Sequence, residues 1–198
     1  GGICGEVTGN AAIYNCVNTG SVTSKLTDQD AIENIGGITG YCSVSYYTTE
    51  FDSFPGDMGI FNCYNSGIIS STYNSNSKYV GGIVGKGRVD FGNSVYHTIR
   101  VTNTVNNDRT TFSIANNTNS NNSVEFDIKN NFYKSAGTSP LDPSYESTFH
   151  NDLYNVVSIL NEYSRKSNGK YLQWRVEGGG TNNIIFSEEI IDNQEITP

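Results

Sequence analysis

Short runs of β-branched and aromatic residues, each closed by Asn, Ser or Gly, make up much of the first half of the chain. The segments "IYNCVNTGSV" (13–22) and "IFNCYNSGII" (60–69) show this pattern most clearly. Asn and Gly tolerate the left-handed backbone geometry of tight corners, whereas β-branched and aromatic residues favour extended strands. The pattern therefore predicts short strands that end at corners, and it disfavours helix in this region.

A pentapeptide of the form Gly-Gly-Ile-x-Gly recurs around these segments, at 1–5, 36–40 and 81–85. The two kinds of motif alternate along the chain in the same order. One such unit cannot bury its own apolar residues, but stacked copies place equivalent residues in columns and build a continuous core. The sequence therefore predicts a mainly β fold, a right-handed parallel β-helix (β-solenoid) with irregular coils and loop insertions; the handedness follows the crossover rule for parallel strands.

Each repeated position predicts one column of equivalent residues through the stack. The residues expected in these columns are Gly2, Gly37 and Gly82; Ile3, Ile38 and Ile83; Cys16 and Cys63; and Asn18 and Asn65. We expect the isoleucines to face the core, the glycines to serve corners or close packing, and the asparagine amides to hydrogen-bond between neighbouring coils. Strand alternation further predicts that Tyr14 and Phe61 share a face with the two cysteines.

The spacing between motifs is irregular, which predicts loops near 23–35, 43–58 and 70–79. The second loop, "VSYYTTEFDSFPGDMG", is aromatic and acidic. Its candidate ligand contacts are Tyr46, Tyr47, Phe51 and Phe54. Aromatic rings stack on sugars or anchor protein partners. Packing of the same rings onto the solenoid is the simpler interpretation, and both alternatives remain open.

The pattern changes from about residue 140. Apolar residues at i, i+3, i+4 and i+7, beginning with Leu153, predict an amphipathic helix that Asn151 caps and Gly169 ends. Two alternating runs around 178–180 predict a hairpin that contains Trp174, the single tryptophan. We interpret this region as a helix/hairpin cap that covers an open end of the solenoid. The predicted domains are 1–139, a β-solenoid repeat domain; 140–188, a C-terminal α/β cap; and 189–198, a linker or tail.

Charge and hydropathy narrow the choice of partners. The net charge is −8 and the twelve basic residues are scattered, so nucleic acid is not an expected partner. No apolar run approaches the length of about 20 residues that a membrane-spanning helix needs, so membrane insertion is not expected. The sequence begins within a repeat, and we therefore expect further repeats or domains of the same full-length chain.

The sequence offers little support for catalysis, metal binding or a cofactor. The four cysteines, Cys4, Cys16, Cys42 and Cys63, show no zinc-binding spacing, and "GGIVGKG" (81–87) lacks the spacing and the hydroxyl residue of a phosphate-binding loop. The loop aspartates share no predicted column, so they are interpreted as solvated charges. Cys16 and Cys63 are expected on adjacent coils, where two buried free thiols or a disulfide both fit. Cys4 aligns with Thr39 and not with Cys42, which disfavours a bridge between Cys4 and Cys42.

The alternation of GGI-x-G with "NCVNTGSV" and "NCYNSGII" resembles the GLUG-motif repeats of bacterial cell-surface proteins. The resemblance covers residues 1–85 well, and "NSVYHTIRVTNTV" (93–105) is a degenerate further copy. The segment "NNFYKSAG" (130–137) is similar to the closing segment of that family, with Asn131 where a cysteine is expected. The resemblance implies a β-helical fold, a location outside the cell or at the bacterial cell surface, and no intrinsic catalysis.

These observations predict a non-catalytic structural and adhesive module of a bacterial surface or secreted protein, which presents loops to a host glycan or an extracellular protein. Two alternatives remain. One is a carbohydrate-binding or polysaccharide-cleaving β-helix, which requires acidic and aromatic side chains to converge on one groove. The other is an accessory module of a larger surface protease.

Overall fold

Short parallel strands form most of the structure, as the pattern of apolar and corner residues predicted. A computed structural model describes residues 1–8, 11–26, 32–45, 59–71, 78–90, 98–107, 115–116, 125–129, 131–133, 147–149, 152–179 and 183–187. Within these ranges, successive stretches of chain contribute strands to the same sheets in the same order. Each such stretch is termed a pass.

Four passes account for most of the strands. The first contains β1 (Cys4–Thr8), β2 (Ala12–Tyr14), β3 (Val17–Asn18) and β4 (Val22–Ser24). The second contains β5 (Glu33–Gly36), β6 (Thr39–Ser45), β7 (Gly59–Phe61), β8 (Tyr64–Asn65) and β9 (Ile69–Ser71). The third contains β10 (Lys78–Gly81), β11 (Val84–Asp90), β12 (Thr98–Thr102) and β13 (Val105–Asn106). The fourth contains β14 (Ala115–Asn116), β15 (Glu125–Lys129) and β16 (Asn131–Tyr133), and β17 (Ser147–Phe149) follows it.

Three parallel sheets each take one strand from every pass. Sheet I has the order β1-β6-β11-β14, sheet II the order β2-β7-β12-β15, and sheet III the order β3-β8-β13-β16-β17. Two smaller parallel pairs, β4 with β9 and β5 with β10, complete the passes. The two copies of the second motif are in register, since Ile13 pairs with Ile60. Cys4 pairs with Thr39, as the alignment of the pentapeptides predicted.

The predicted isoleucine column is present. Backbone hydrogen bonds join Ile3 N to Ile38 O at 3.1 Å and Ile38 N to Ile83 O at 3.0 Å. Ile38 and Ile83 are fully buried in the core between sheets I and II, whereas Ile3 is 45% exposed. The difference arises because Ile38 lies between Ile3 and Ile83 of the neighbouring passes, while Ile3 directly precedes β1, the edge strand of sheet I, and is bonded to Ile38 on one side. The prediction of a buried side chain is therefore wrong for Ile3.

Strands occupy parts of the three predicted loops. Residues at both ends of 23–35 belong to β4 and β5, the segment 43–58 begins inside β6, and 70–79 overlaps β9 and β10. Most residues of β4, β5, β9 and β10 are polar or glycine, so the apolar alternation that reveals other strands is weak there. These strands are held by backbone pairing and by a small apolar core of Ile35, Ile69 and Val80, against which Val22 packs. The buried carboxylate of Glu33 also accepts hydrogen bonds from Ser24 Oγ at 2.6 Å and Ser71 Oγ at 2.5 Å.

A helix and a hairpin follow the strands. Helix α1 (Leu153–Arg165) begins after Asp152, whose side chain accepts hydrogen bonds from the backbone of Tyr154 and Asn155. Asp152 is therefore the cap, not Asn151, and the helix ends before Gly169 because Lys166 leaves the helical hydrogen-bonding pattern. Strands β18 (Trp174–Val176) and β19 (Ile184–Phe186) form the predicted antiparallel hairpin. No helix among the described residues is long and apolar enough to cross a membrane.

The helix and hairpin, together termed the C-terminal unit (152–179 and 183–187), pack along the outer face of sheet III. Their apolar side chains share one core with residues from three consecutive passes. The members of this core are Tyr64, Val105, Phe132, Leu153, Val156, Leu160, Trp174 and Ile184. This position along the side of the sheet differs from the end of the stack, where the sequence interpretation placed a cap.

Candidate functional site

The predicted ligand contacts Tyr46, Tyr47, Phe51 and Phe54 lie outside the described residues, as does most of the loop that carries them. The segment between Ser45 and Gly59 joins β6 of sheet I to β7 of sheet II. The described residues place four features close to one another: two rows of asparagine, one cluster of aromatic rings and one pair of thiols.

The first row, termed the inner ladder, consists of Asn18, Asn65 and Asn106, which lie in register on neighbouring strands of sheet III. Asn18 Nδ2 donates to Asn65 Oδ1 at 2.8 Å, and Asn65 Nδ2 donates to Asn106 Oδ1 at 3.0 Å. All three side chains are buried. The predicted hydrogen bonding between Asn18 and Asn65 is confirmed. Asn106, which directly follows the degenerate copy at 93–105, extends it by one pass.

The second glycine of each pentapeptide packs directly against this ladder. A Cβ atom on Gly2 would collide with the Asn18 amide. The same overlap occurs between Gly37 and Asn65, and between Gly82 and Asn106. The glycines therefore serve close packing, and Gly37 and Gly82 also lie at bends between consecutive strands. This contact explains why the two motifs occur together: each asparagine amide needs a neighbour without a side chain.

Replacing Gly37 with alanine is expected to destabilise the protein by about 3 kcal/mol or more, because the new methyl group would overlap the Asn65 amide and the backbone oxygen of Gly82. Gly178 offers a matched control, since a methyl group added there would have no other heavy atom within 4 Å. Urea unfolding followed by tryptophan fluorescence would measure both variants. Equal stabilities for the two alanine variants would contradict the packing described here.

The second row, termed the outer ladder, consists of Asn15, Asn62 and Asn103 at the corners between sheets II and III. Each has a left-handed backbone, with φ of 53°, 51° and 56°. Asn103 Nδ2 donates to Asn62 Oδ1 at 2.7 Å, and Asn62 Nδ2 donates to Asn15 Oδ1 at 2.7 Å. Sequence reasoning missed this ladder, although its signal is the Asn that precedes each cysteine of the second motif and the Asn of "VTNTV".

The C-terminal unit is hydrogen-bonded to the outer ladder. Trp174 Nε1 donates to Asn62 Oδ1 at 2.6 Å, and Asn62 Nδ2 also donates to Leu172 O at 3.0 Å. Asn15 accepts a hydrogen bond from Leu172 N at 3.0 Å and donates one to Lys170 O at 2.9 Å. The asparagines that form the corners therefore also fix the position of the C-terminal unit.

Four aromatic rings gather beside these contacts. This aromatic cluster consists of Tyr14, Phe61, Tyr163 and Tyr171, with Tyr14 stacked on Phe61 at 5.0 Å between ring centroids. Tyr171 lies 6.2 Å from Tyr14, 6.3 Å from Phe61 and 6.1 Å from Tyr163. The three tyrosines are half-buried, so the cluster is in contact with solvent. The cluster therefore joins one ring from each of the first two passes, Tyr14 and Phe61, to two rings of the C-terminal unit, Tyr163 and Tyr171.

The thiols of Cys16 and Cys63 lie on the opposite side of the strand, inside the core between sheets I and II. This finding corrects the prediction that Tyr14 and Phe61 share a face with the two cysteines. The left-handed corner at Asn15, and the equivalent corner at Asn62, lies between ring and thiol and breaks the alternation of the strand. The aromatic rings therefore point outward while the thiols point inward.

The two thiols have pKa values that shift in opposite directions. A hydrogen bond from Cys63 lowers the pKa of Cys16 to about 7, against the opposing effect of partial burial. Burial raises the pKa of Cys63 well above its usual value. Burial, followed by the nearby Cys4, raises the pKa of Cys42 to about 12. Cys16 is therefore the member of the pair that ionises first.

The described residues show no grouping of three His, Cys, Asp or Glu side chains that could hold a metal ion. Other candidate ligands lie outside the described residues: the loop aspartates Asp28, Asp30, Asp52 and Asp57, and the two histidines of the chain, His97 and His150. The chain matches no protein-family model, and neither the curated proteins nor the solved structures contain a match to it.

Proposed function

We propose that the described sheets form a right-handed parallel β-helix in which each pass is one irregular coil. Sheets I, II and III each add one parallel strand per pass, in chain order, which supports this architecture. Equivalent motif residues are neighbours in the sheets, as Asn18 and Asn65 are. The handedness follows from the general preference for right-handed crossovers between parallel strands.

The function that this architecture supports best is that of a non-catalytic structural and adhesive module of a bacterial surface or secreted protein. The observation that carries the proposal is that the repeated residues are engaged in packing between passes: the glycines contact the inner ladder, and Ile38 and Ile83 fill the core. A repeat whose recurring residues build the scaffold leaves binding to the segments that vary between strands.

The proposed ligand is a host glycan or an extracellular protein, and the proposed contacts are the aromatic residues of the segment between β6 and β7. A location outside the cell or at the bacterial cell surface is supported by the resemblance to GLUG-motif repeats. Further repeats or domains of the same full-length chain are proposed as its covalent neighbours. The division into 1–139, 140–188 and 189–198 stays a prediction.

Binding of the purified chain to a glycan array and to a panel of extracellular matrix proteins tests this proposal. Changing Tyr46, Tyr47, Phe51 and Phe54 together to alanine is expected to reduce binding at least about tenfold, because aromatic anchors supply most of the energy at such contacts. The matched control is Tyr154→Ala, since Tyr154 is a 76% exposed aromatic residue on helix α1.

Circular dichroism of each variant would first establish that the strand content is unchanged. Equal binding by the wild-type chain and the quadruple variant would contradict the role of this segment. Release of reducing ends from a polysaccharide by the wild-type chain would contradict the non-catalytic proposal and favour a polysaccharide-cleaving β-helix.

The aromatic cluster favours carbohydrate binding as a second candidate function. Its tyrosines are half-buried and stacked, the arrangement in which aromatic rings offer a large apolar area with polar groups at the rim. In the same glycan array, Tyr171→Ala should abolish binding if this surface holds the sugar. Retention of binding by that variant, with loss in the quadruple variant, would assign the sugar to the segment between β6 and β7. An accessory role in a larger surface protease is a further alternative for the full-length chain.

A further inference from the structure

One interior column of the fold changes its chemistry along the stack. Cys16 and Cys63 occupy it in the first two passes, Thr104 in the third and Asn131 in the fourth, as the registers of sheet III show. Asn131 Oδ1 accepts hydrogen bonds from Thr104 N at 2.9 Å and Thr104 Oγ1 at 2.7 Å. In the third and fourth passes, side-chain hydrogen bonds therefore connect the members of this column, whereas its members in the first and second passes are two thiols.

The backbone holds the two cysteines side by side. Tyr64 N donates to Cys16 O at 2.9 Å, and the strands on both sides of the pair are in register. Neighbouring parallel strands lie about 4.8 Å apart, within the range of about 4.4–6.8 Å that a disulfide spans between Cα atoms. Each thiol donates a hydrogen bond to a backbone oxygen two residues earlier: Cys16 Sγ to Tyr14 O at 3.3 Å and Cys63 Sγ to Phe61 O at 3.1 Å. Cys16 and Cys63 can therefore be linked without a change of register.

The pair is asymmetric in exposure. Cys16 directly precedes β3, packs at the edge of the core and is partly exposed, whereas Cys63 has no exposed surface. A dissolved reagent can reach Cys16, whereas Cys63 is buried beside it. This arrangement fits an attacking thiol next to a resolving thiol.

We propose that Cys16 and Cys63 form a reversible dithiol/disulfide site, which takes a small disulfide such as oxidised glutathione as its oxidant and closes a covalent link between the first two passes. The link joins residues that are 47 positions apart, the same separation as Asn18 and Asn65. The site does not depend on the adhesive role proposed above.

The reaction proceeds by two thiol-disulfide exchanges. The Cys16 thiolate attacks one sulfur of glutathione disulfide, the bond between the glutathione sulfurs breaks, and one glutathione leaves as a thiolate. The Cys63 thiol then loses its proton to that thiolate and attacks Cys16 Sγ, which releases the second glutathione. Two protein thiols are oxidised by two electrons, and one glutathione disulfide is reduced to two glutathione molecules.

Two double variants isolate the pair. In Cys4→Ser with Cys42→Ser only the proposed pair remains, and in Cys16→Ser with Cys63→Ser only the other two cysteines remain. Serine is a mild replacement in this column, because Thr104 already places a buried hydroxyl there. Each folded variant is treated with oxidised glutathione, denatured, alkylated with iodoacetamide and weighed by intact mass spectrometry.

In the first variant we expect a product lighter by two hydrogens that carries no alkyl group. Its free thiols should disappear at least about tenfold faster than in the second variant, because only in the first variant does the register place a second thiol beside the attacked one. Dithiothreitol should restore both thiols. The single variant Cys63→Ser should stop at a glutathione adduct on Cys16, whereas Cys16→Ser should leave Cys63 unmodified.

Two results would overturn the proposal. One is that the variant Cys4→Ser with Cys42→Ser, which retains Cys16 and Cys63, is folded by circular dichroism but still has both thiols open to alkylation after the treatment. The other is a stable glutathione adduct on Cys16 in the presence of Cys63, which would show that Cys63 cannot resolve it.

Discussion

Replacing Trp174 with alanine should lower the free energy of unfolding by about 3–5 kcal/mol, since the indole is fully buried between helix α1 and sheet III. The ring stacks on Phe186 at 4.0 Å between centroids and meets Tyr64 edge-on at 6.3 Å. The loss of these contacts would leave a large cavity at the point where the C-terminal unit meets the strands. Urea unfolding followed by circular dichroism would measure the effect.

The variant Trp174→Phe separates packing from hydrogen bonding. It keeps an aromatic ring but removes the donor to Asn62 Oδ1, so a smaller loss of about 1–2 kcal/mol is expected. Limited proteolysis offers a second readout, because the alanine variant should expose helix α1 to cleavage before the strands unfold. A fully cooperative and unchanged unfolding transition for Trp174→Ala would show that the C-terminal unit is not anchored by this residue.

Replacing Asn62 with alanine should cost a similar amount, about 3–5 kcal/mol, for a different reason. Its buried amide bonds to Asn15, Asn103, Leu172 and Trp174, and removal leaves several buried polar groups without a partner. Alanine also adopts the left-handed backbone reluctantly, at a cost of roughly 1–2 kcal/mol. Chemical unfolding of the variant would give the sum of both effects.

Two further variants separate the cost of the lost hydrogen bonds from the cost of the left-handed backbone. Asn62→Gly removes the amide but tolerates the backbone angle, so it should be more stable than Asn62→Ala by about 1 kcal/mol. Asn168 has the same left-handed backbone, with φ of 54°, but is exposed, and Asn168→Ala therefore serves as the matched control for backbone strain. If Asn62→Ala cost no more than Asn168→Ala, the hydrogen bonds of the outer ladder would contribute nothing measurable.

The parts of the fold that could be predicted from the sequence are those in which one residue type recurs at one register. Ile38 with Ile83, and Asn18 with Asn65, follow directly from the alignment of the motifs. The same reasoning failed at Tyr14 and Cys16, because the corner at Asn15 lies between them and strand alternation does not continue through a left-handed residue.

Contacts between distant parts of the chain could not be predicted in the same way. The position of the C-terminal unit depends on Trp174 meeting Asn62 and on Tyr171 meeting Tyr14, and neither pair is marked by spacing or periodicity. The strands around Glu33 were missed because each has only one or two apolar residues. The residues that hold them, the apolar cluster of Ile35, Ile69 and Val80 and the hydroxyls bonded to Glu33, belong to different passes. The candidate ligand contacts Tyr46, Tyr47, Phe51 and Phe54 stay a prediction.

The two asparagine ladders donate their hydrogen bonds in opposite directions. The inner ladder runs from Asn18 toward Asn106, whereas the outer ladder runs from Asn103 toward Asn15. Each amide carries a dipole, and a single row of aligned amides would accumulate a dipole moment along the stacking axis, as peptide groups do in a helix. The dipoles of two antiparallel rows largely cancel, so amides can be added pass after pass without a growing dipole moment along the stacking axis.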